Sequence, residues 1–151
     1  MGKEIRMLAA IMFTDMVGYT ALMQEDEKRA RLLRNKHRDV LQNLISEHNG
    51  RILQYYGDGT LAIFGSAIEA ALCGAKIQKQ LQKDPKVPLR IGIHSGDVVY
   101  DDEGVYGDGV NIASRIENIA VLGSVLISQK INEEGNHCAN STADKWQNIY
   151  H

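Results

Sequence analysis

An Asp-Gly pair, Asp58-Gly59, separates two short runs that are rich in apolar and aromatic residues, residues 51–56 and 60–64. This pair is a strong short-range signal for a β-hairpin, because aspartate and glycine accept the backbone angles of a tight turn. The sequence therefore predicts two antiparallel strands joined at Asp58.

The segments on either side of this hairpin alternate between strand and helix patterns. Residues 7–13 form a short apolar run, typical of a strand buried on both faces. Residues 26–48 repeat apolar positions every three or four residues, and Ser66 with Glu69 forms a capping box before a second helix that extends to about Lys83.

The second half of the chain adds a strand over residues 89–100, a helix from about 110 to 120 and a strand at 124–128. A glycine-rich loop at 101–109 precedes the helix. The resulting order, β-α-β-β-α-β-α-β, begins with the split β-α-β of ferredoxin-like domains. We therefore expect an α+β palm, in which an antiparallel-dominated sheet carries both long helices on one face.

Composition limits the classes of partner. The 151 residues suit one domain, and a hydrophobic content of 44% with 24% charged residues is ordinary for a folded globular protein. The net charge of −2 argues against nucleic acid as a partner, and no apolar run is long enough to predict a membrane segment in this chain. Cys73 and Cys138 belong to no metal-binding cluster, so reduced thiols and a cytoplasmic protein are expected.

The predicted fold brings two acidic residues together as a candidate metal site. Asp15 comes directly after the first buried strand and Asp58 lies at the hairpin tip, and pairing of the first strand with the hairpin would bring them together. Paired carboxylates at strand ends suit Mg²⁺, which leaves other positions to water and phosphate oxygens. Taken alone, Asp58 is better explained as a turn residue between two glycines.

The residues after Asp15 suggest a phosphate site. A turn at Gly18 before a helix could direct free backbone N–H groups toward an anion, and Thr20 could add a hydroxyl donor. Asn111 and Arg115 lie four residues apart on one face of the predicted helix, although such a pair taken alone is more often part of a solvated polar face. The glycines at 104–109 do not match a dinucleotide-binding fingerprint.

Four sequence blocks together resemble the catalytic domain of class III adenylate and guanylate cyclases. The resemblance covers about residues 5–135. It predicts a catalytic domain over residues 1–135 and an atypical tail over residues 136–151. The blocks are Phe-Thr-Asp-Met-Val-Gly-Tyr-Thr at 13–20, Tyr-Gly-Asp-Gly at 56–59, Arg-Ile-Gly-Ile-His-Ser-Gly at 90–96 and Gly-Asp-Gly-Val-Asn-Ile-Ala-Ser-Arg at 107–115.

The resemblance implies a nucleotide cyclase with a two-metal mechanism. Asp15 and Asp58 would hold two Mg²⁺ or Mn²⁺ ions, one activating the ribose 3′-hydroxyl and the other binding the triphosphate. Asn111 would orient the ribose and Arg115 would neutralise charge at the α-phosphate, both from the second protomer of a head-to-tail homodimer. The backbone carbonyl of Met16 would complete the metal site, and the triphosphate would lie against Val17, Gly18, Tyr19 and Thr20.

The chain departs from the family pattern where the base is read. Adenylate-forming members usually carry Lys and either Asp or Thr at the positions of Gln54 and Gly104, and guanylate-forming members tend to carry Glu and Cys. ATP is expected as the substrate because it is the commoner one in the family. The C-terminal β-hairpin of the family is expected to be missing or altered here. The alternative function is a non-catalytic cyclase-like module that binds nucleotide or dimerises to regulate a partner.

Overall fold

The structure is a computed structural model that describes residues 3–128. Within that range, six strands and four helices follow one another along the chain. From the N-terminus they are β1 (Ile5–Met16), α1 (Tyr19–Glu25), α2 (Glu27–Glu47), β2 (Gly50–Tyr56), β3 (Gly59–Phe64), α3 (Ala67–Leu81), β4 (Leu89–Asp101), β5 (Gly104–Tyr106), α4 (Asp108–Ile119) and β6 (Val125–Ile127).

The sheet has the strand order β2-β3-β1-β4-β5, and β6 pairs with β4. All pairs are antiparallel except β4 with β6. The first strand thus lies between the hairpin and β4, as the palm prediction required. The α+β palm with an antiparallel-dominated sheet is confirmed.

Each face of the sheet is covered by a different set of helices. On one face, Met12 and Ile91 pack with apolar residues of α2 and α3, such as Leu41 and Ile77. On the other face, Ile11 and the neighbouring strands pack against α4. Both long helices therefore share one face, as expected, and α4 alone among the described helices packs on the second face.

Local sequence signals set the helix starts. The Ser66 hydroxyl accepts a hydrogen bond from the Glu69 amide at 3.4 Å, so the predicted N-cap of α3 is present, whereas the Glu69 carboxylate lies 2.8 Å from His48 Nδ1. The Asp26 carboxylate caps α2 in the same way through the Arg29 amide at 3.1 Å. Such caps satisfy backbone donors that have no partner inside the helix.

Two elements were not delimited from the sequence. The helix expected after the Gly18 turn is α1, a short helix separate from α2, and it buries none of its residues fully, so no apolar periodicity marks its bounds. The second is β5, which pairs with β4 inside the segment predicted as a loop. The Asp101 carboxylate accepts hydrogen bonds from the Glu103 and Gly104 amides and closes the turn between these strands.

None of the helices within residues 3–128 combines the length and the apolar character that a bilayer crossing requires. The predicted atypical tail at 136–151 lies outside the described residues. The expected loss of the C-terminal hairpin also concerns residues outside them.

A buried histidine links α2 to the end of β1. His37 is 1% exposed, and its Nε2 atom lies 3.3 Å from the Thr14 hydroxyl oxygen. Burial, aided by the charge of Arg38, lowers the pKa of His37 to about 4. The ring is therefore neutral in the folded protein near neutral pH.

This histidine should weaken the fold in mild acid. The unfolded chain takes up a proton near pH 6.5, whereas the folded chain resists it until about pH 4, so stability is lost as the pH falls through this interval. Relative to His37→Gln, the wild type should lose roughly 2 to 3 kcal/mol of unfolding free energy between pH 7 and 4.5. Urea unfolding of both proteins at the two pH values measures this difference.

The comparison with His37→Gln is needed because Glu117 changes the unfolding free energy in the opposite direction as the pH falls. Burial raises the pKa of Glu117 to about 7, so the folded chain binds a proton that the unfolded chain releases, and this stabilises the fold as the pH falls. Glu117 is present in both proteins and cancels in the difference. Equal pH dependence of the two proteins would contradict the assignment to His37.

Candidate active site

The two predicted acidic residues meet at one end of the sheet. Asp15 is the penultimate residue of β1 and lies opposite Gly59 of β3, so the hairpin tip at Asp58 is beside it. The Met16 amide donates a hydrogen bond to the Asp58 backbone carbonyl at 3.0 Å. The juxtaposition inferred from the order of the strands is therefore present.

Aromatic stacking holds the hairpin against β1. Tyr56, the last residue of β2, stacks on Phe13 with ring centroids 5.3 Å apart and an interplanar angle of 27°. Phe13 lies two residues before Asp15 and so shares its face of the sheet. The contact therefore reaches across β3, from β2 to β1, next to the carboxyl pair.

The environment of Asp15 disfavours its ionised form. The pKa of Asp15 is raised, first by burial and then by the negative charge of Asp58, while a hydrogen bond from Arg90 opposes the shift. A divalent cation between the carboxylates would relieve this repulsion, so the oxygen donors fit Mg²⁺ or Mn²⁺. No group of three or more His, Cys, Asp or Glu suited to a metal occurs within residues 3–128. Further ligands would have to be backbone, water or substrate oxygens.

The segment after Asp15 turns into α1. The Val17 amide donates a hydrogen bond to the Pro88 carbonyl at 2.9 Å, so this donor is already used within the chain. Gly18 is the N-cap of α1 with φ of 75°, a conformation that favours glycine, and no side chain caps the helix. The amides that follow, including those of Tyr19 and Thr20, lie in the first turn, where helices have unsatisfied donors.

Asn111 and Arg115 lie on α4, and both side chains are exposed to solvent. They share a helical face that is separate from the face of Val110, Ala113 and Glu117, which is buried against the sheet. Within one chain, α4 therefore directs Val110, Ala113 and Glu117 toward the sheet and leaves Asn111 and Arg115 outward.

Gln54 and Gly104 line one pocket of about 240 Å³. Its wall is formed by Leu53, Gln54, Tyr100 and residues 101–105, which include the acidic turn between β4 and β5. Fifty residues separate Gln54 and Gly104 in sequence, and the structure brings them together. The pocket is large enough for a planar ring.

Two residues of the site were missed from the sequence. Arg90 lies opposite Asp15 across the β1–β4 pair, and its Nη2 atom donates to Asp15 Oδ2 at 3.2 Å. Its Nε atom lies 3.3 Å from Glu117 Oε1. Glu117 is only 2% exposed, and burial followed by the charge of Asp15 raises its pKa to about 7. An acidic residue on the apolar stripe of α4 was the signal that could have revealed Glu117.

A glycine allows Glu117 to approach the sheet. A Cβ atom at Gly92 would overlap the backbone of Glu117 and crowd the Ala113 carbonyl oxygen. Because Gly92 has no side chain, α4 packs directly on β4 and carries Glu117 to Arg90. The glycine of the Arg-Ile-Gly block is therefore a packing requirement of the site.

Comparison with known proteins agrees with this geometry. The family model described as the adenylate and guanylate cyclase catalytic domain matches residues 6–149. A Rhizobium meliloti protein named "Putative adenylate cyclase 3" is 43% identical over 88% of this chain and 24% of its own length. The serine/threonine-protein kinase pkn2 of Myxococcus xanthus is 32% identical over 89% of this chain and 17% of its own length.

Among solved structures, the adenylate/guanylate cyclase/hydrolase from Silicibacter pomeroyi superposes with a TM-score of 0.75 and 32% identity. That match covers 90% of this chain and 83% of the other. The chain spans about a quarter or less of the two curated relatives described above. The extent of the family match and the superposition show that the chain belongs to the class III adenylate and guanylate cyclase catalytic domain family.

Proposed function

We propose that this domain is an active nucleotide cyclase that converts ATP to 3′,5′-cyclic AMP and pyrophosphate in a homodimer. The observation that carries the proposal is the meeting of Asp15 and Asp58 at the end of the sheet. The adenylate cyclase name of the Rhizobium meliloti relative favours ATP over GTP. A nucleoside triphosphate substrate also implies that the domain faces the cytoplasm.

Asp15, Asp58 and the backbone carbonyl of Met16 would hold the metal ions. Two Mg²⁺ or Mn²⁺ ions, when bound, supply charge that favours loss of the 3′-hydroxyl proton and neutralises the triphosphate. The raised pKa of Asp15 supports this role, because two carboxylates in mutual repulsion are stabilised by a cation.

The remaining residues would position the substrate for an in-line displacement. The amides after Gly18 and the Thr20 hydroxyl would bind triphosphate oxygens, with Val17 and Tyr19 beside them. The 3′-oxygen forms a bond to the α-phosphorus, the bond from that phosphorus to the bridging oxygen breaks, and pyrophosphate leaves. The protein forms no covalent intermediate, so the rate depends on positioning and charge neutralisation.

The second protomer would complete each site. Asn111 would orient the ribose and Arg115 would bind the α-phosphate across the dimer interface. Exposure of both side chains supports this arrangement, since neither is buried within its own protomer. Two equivalent sites per dimer follow from the two-fold relation of the subunits.

The proposal is tested by incubating the protein with Mn²⁺ and each of ATP, GTP, CTP and UTP. Mass spectrometry should detect a cyclic nucleotide and pyrophosphate in equal amounts. Nucleotide binding without any cyclic product would instead support the alternative, a non-catalytic module that regulates a partner.

Base selection should be weak. Gln54 carries both a hydrogen-bond donor and an acceptor on a rotatable amide, and Gly104 adds no side chain to the pocket that both line. A flexible amide can pair with adenine or guanine, so the penalty for unpaired polar groups is small. We expect kcat/KM for ATP and GTP to agree within about tenfold, which is roughly 1.4 kcal/mol.

Changing the pocket should create a preference. Gln54→Lys combined with Gly104→Asp should shift selection toward ATP, measured as the ratio of kcat/KM for the two nucleotides. A Gly104→Ala variant, which adds bulk without a hydrogen-bonding group, is the control. If the wild type already prefers one nucleotide by more than about a thousandfold, residues other than these two read the base.

A further inference from the structure

We infer that Arg90 is a positioning residue, which holds the Asp15 carboxylate and ties it to α4. This inference rests on the proposed metal role of Asp15. Arg90 is in β4, Asp15 is in β1, and the other partners of the guanidinium are in α4. One side chain therefore connects three elements at the end of the sheet.

The contacts use different nitrogens of the guanidinium. Nη2 donates to Asp15 Oδ2 at 3.2 Å, and Nη1 donates to the Asn118 backbone carbonyl at 3.3 Å. Nε lies 3.3 Å from Glu117 Oε1, within ion-pair distance but outside hydrogen-bond alignment. A planar fork can make these contacts together, whereas a lysine ammonium cannot reproduce them at fixed angles.

Arg90 could affect metal binding in two ways, by holding the Asp15 carboxylate in place or by repelling the metal ion with its own positive charge. A lone guanidinium beside Asp15 would repel a metal ion, and its removal would then tighten metal binding. Here Glu117 lies within ion-pair distance of Arg90 and offsets its charge when it is ionised, which is its main state at pH 8 because its pKa is about 7. At that pH the pair presents little net charge to the metal, so its main effect on Asp15 is geometric.

Removing both partners together isolates that effect. Measured at pH 8, where Glu117 is mostly ionised, Arg90→Gln with Glu117→Gln leaves the net charge nearly unchanged and avoids an unpaired buried carboxylate, which could prevent folding. Groups that orient metal ligands typically change metal affinity or activity by 10–100-fold when they are replaced. We expect Mn²⁺ affinity of the double variant to fall by about 10–100-fold. Arg90→Lys should lose a similar factor, because it keeps the charge but not the fork.

The matched control removes the same kind of ion pair away from the site. Arg31 and Glu27 form an exposed pair on α2 with an N–O distance of 2.5 Å. Replacing both by glutamine should leave Mn²⁺ affinity unchanged. Melting temperatures of all variants establish that the fold is retained.

The experiment measures Mn²⁺ binding to the full chain by electron paramagnetic resonance, in the presence of 3′-deoxy-ATP, which lacks the attacking hydroxyl. In parallel, the Mn²⁺ concentration for half-maximal turnover should rise in the double variant, while KM for ATP at saturating Mn²⁺ stays near the wild-type value. A purely structural role would not separate these two constants.

The outcomes distinguish this inference from the proposed function. If wild-type binding is lost in Asp15→Asn and weakened in the Arg90/Glu117 double variant, positioning by Arg90 is supported. If Asp15→Asn loses binding but the double variant binds as tightly as the wild type, or more tightly, the inference alone is overturned. If the wild type binds no Mn²⁺, or Asp15→Asn binds like the wild type, both the metal site and the inference fail.

Discussion

Replacing Asp15 or Asp58 by asparagine should abolish cyclisation while the fold is retained. Each change removes a carboxylate from the pair that would hold the ions, and metal stabilisation of transition-state charge contributes several kcal/mol. We expect turnover to fall by at least about a thousandfold, measured as cyclic product formed with saturating Mn²⁺ and ATP.

Stability should change in the opposite direction from activity. The pKa of Asp15 is raised by burial and by Asp58, so its ionised form opposes folding near neutral pH. A neutral asparagine of the same shape removes that repulsion, and Asp15→Asn should melt at the wild-type temperature or above it. Such a trade between stability and activity is typical of residues retained for function.

A matched control for both variants is Asp39→Asn. Asp39 is an exposed aspartate on α2, which packs on the other face of the sheet. Its replacement should leave turnover unchanged. Near-wild-type turnover by either Asp15→Asn or Asp58→Asn would rule out the two-metal assignment.

The position of the acidic pair could be predicted because it depends on local signals. The Asp-Gly turn defines the hairpin, and the apolar run before Asp15 defines a central strand. Antiparallel pairing of these elements leaves few ways to separate the two side chains. The same reasoning predicted the palm and the helices on its first face.

The contacts that Arg90 and α4 make around this acidic pair could not be predicted in the same way. Arg90 contacts Asp15 only because β1 and β4 pair in a register that places these residues opposite each other. The alternating apolar residues of β4 set the face on which Arg90 lies, but a shift of two residues would keep that face and move Arg90 away from Asp15, and the pattern does not exclude such a shift. The close approach of α4 depends in addition on the missing side chain of Gly92.

The pocket lined by Gln54 and Gly104 could not be predicted from the sequence either. The resemblance related both residues to the base, but the wall between them is formed by a turn whose strand, β5, is only three residues long. So short a strand carries too few residues for an alternating pattern. The pocket is therefore visible only once β5 is paired with β4.

Arg115→Ala should lower turnover by about 10² to 10⁴, the usual cost of removing a charge partner of the transition state. Asp15→Asn should be inactive as well. If Arg115 acts on the site of the other protomer, a mixture of the two inactive proteins should regain activity, because each heterodimer then contains one site with both groups present. Random exchange of equal amounts should restore about a quarter of the wild-type rate, since half of the dimers are mixed and each has one intact site.

The control mixture combines Asp15→Asn with Asp58→Asn. Both changes affect the same half of the site, so every site in their heterodimer lacks one carboxylate and no activity should return. Exchange is verified by co-purification of two differently tagged chains. If tagged heterodimers of Asp15→Asn and Arg115→Ala form and remain inactive, Arg115 does not act across the interface. Its exposed position on α4 would then belong to a solvated surface, the other explanation that the spacing of Asn111 and Arg115 allows.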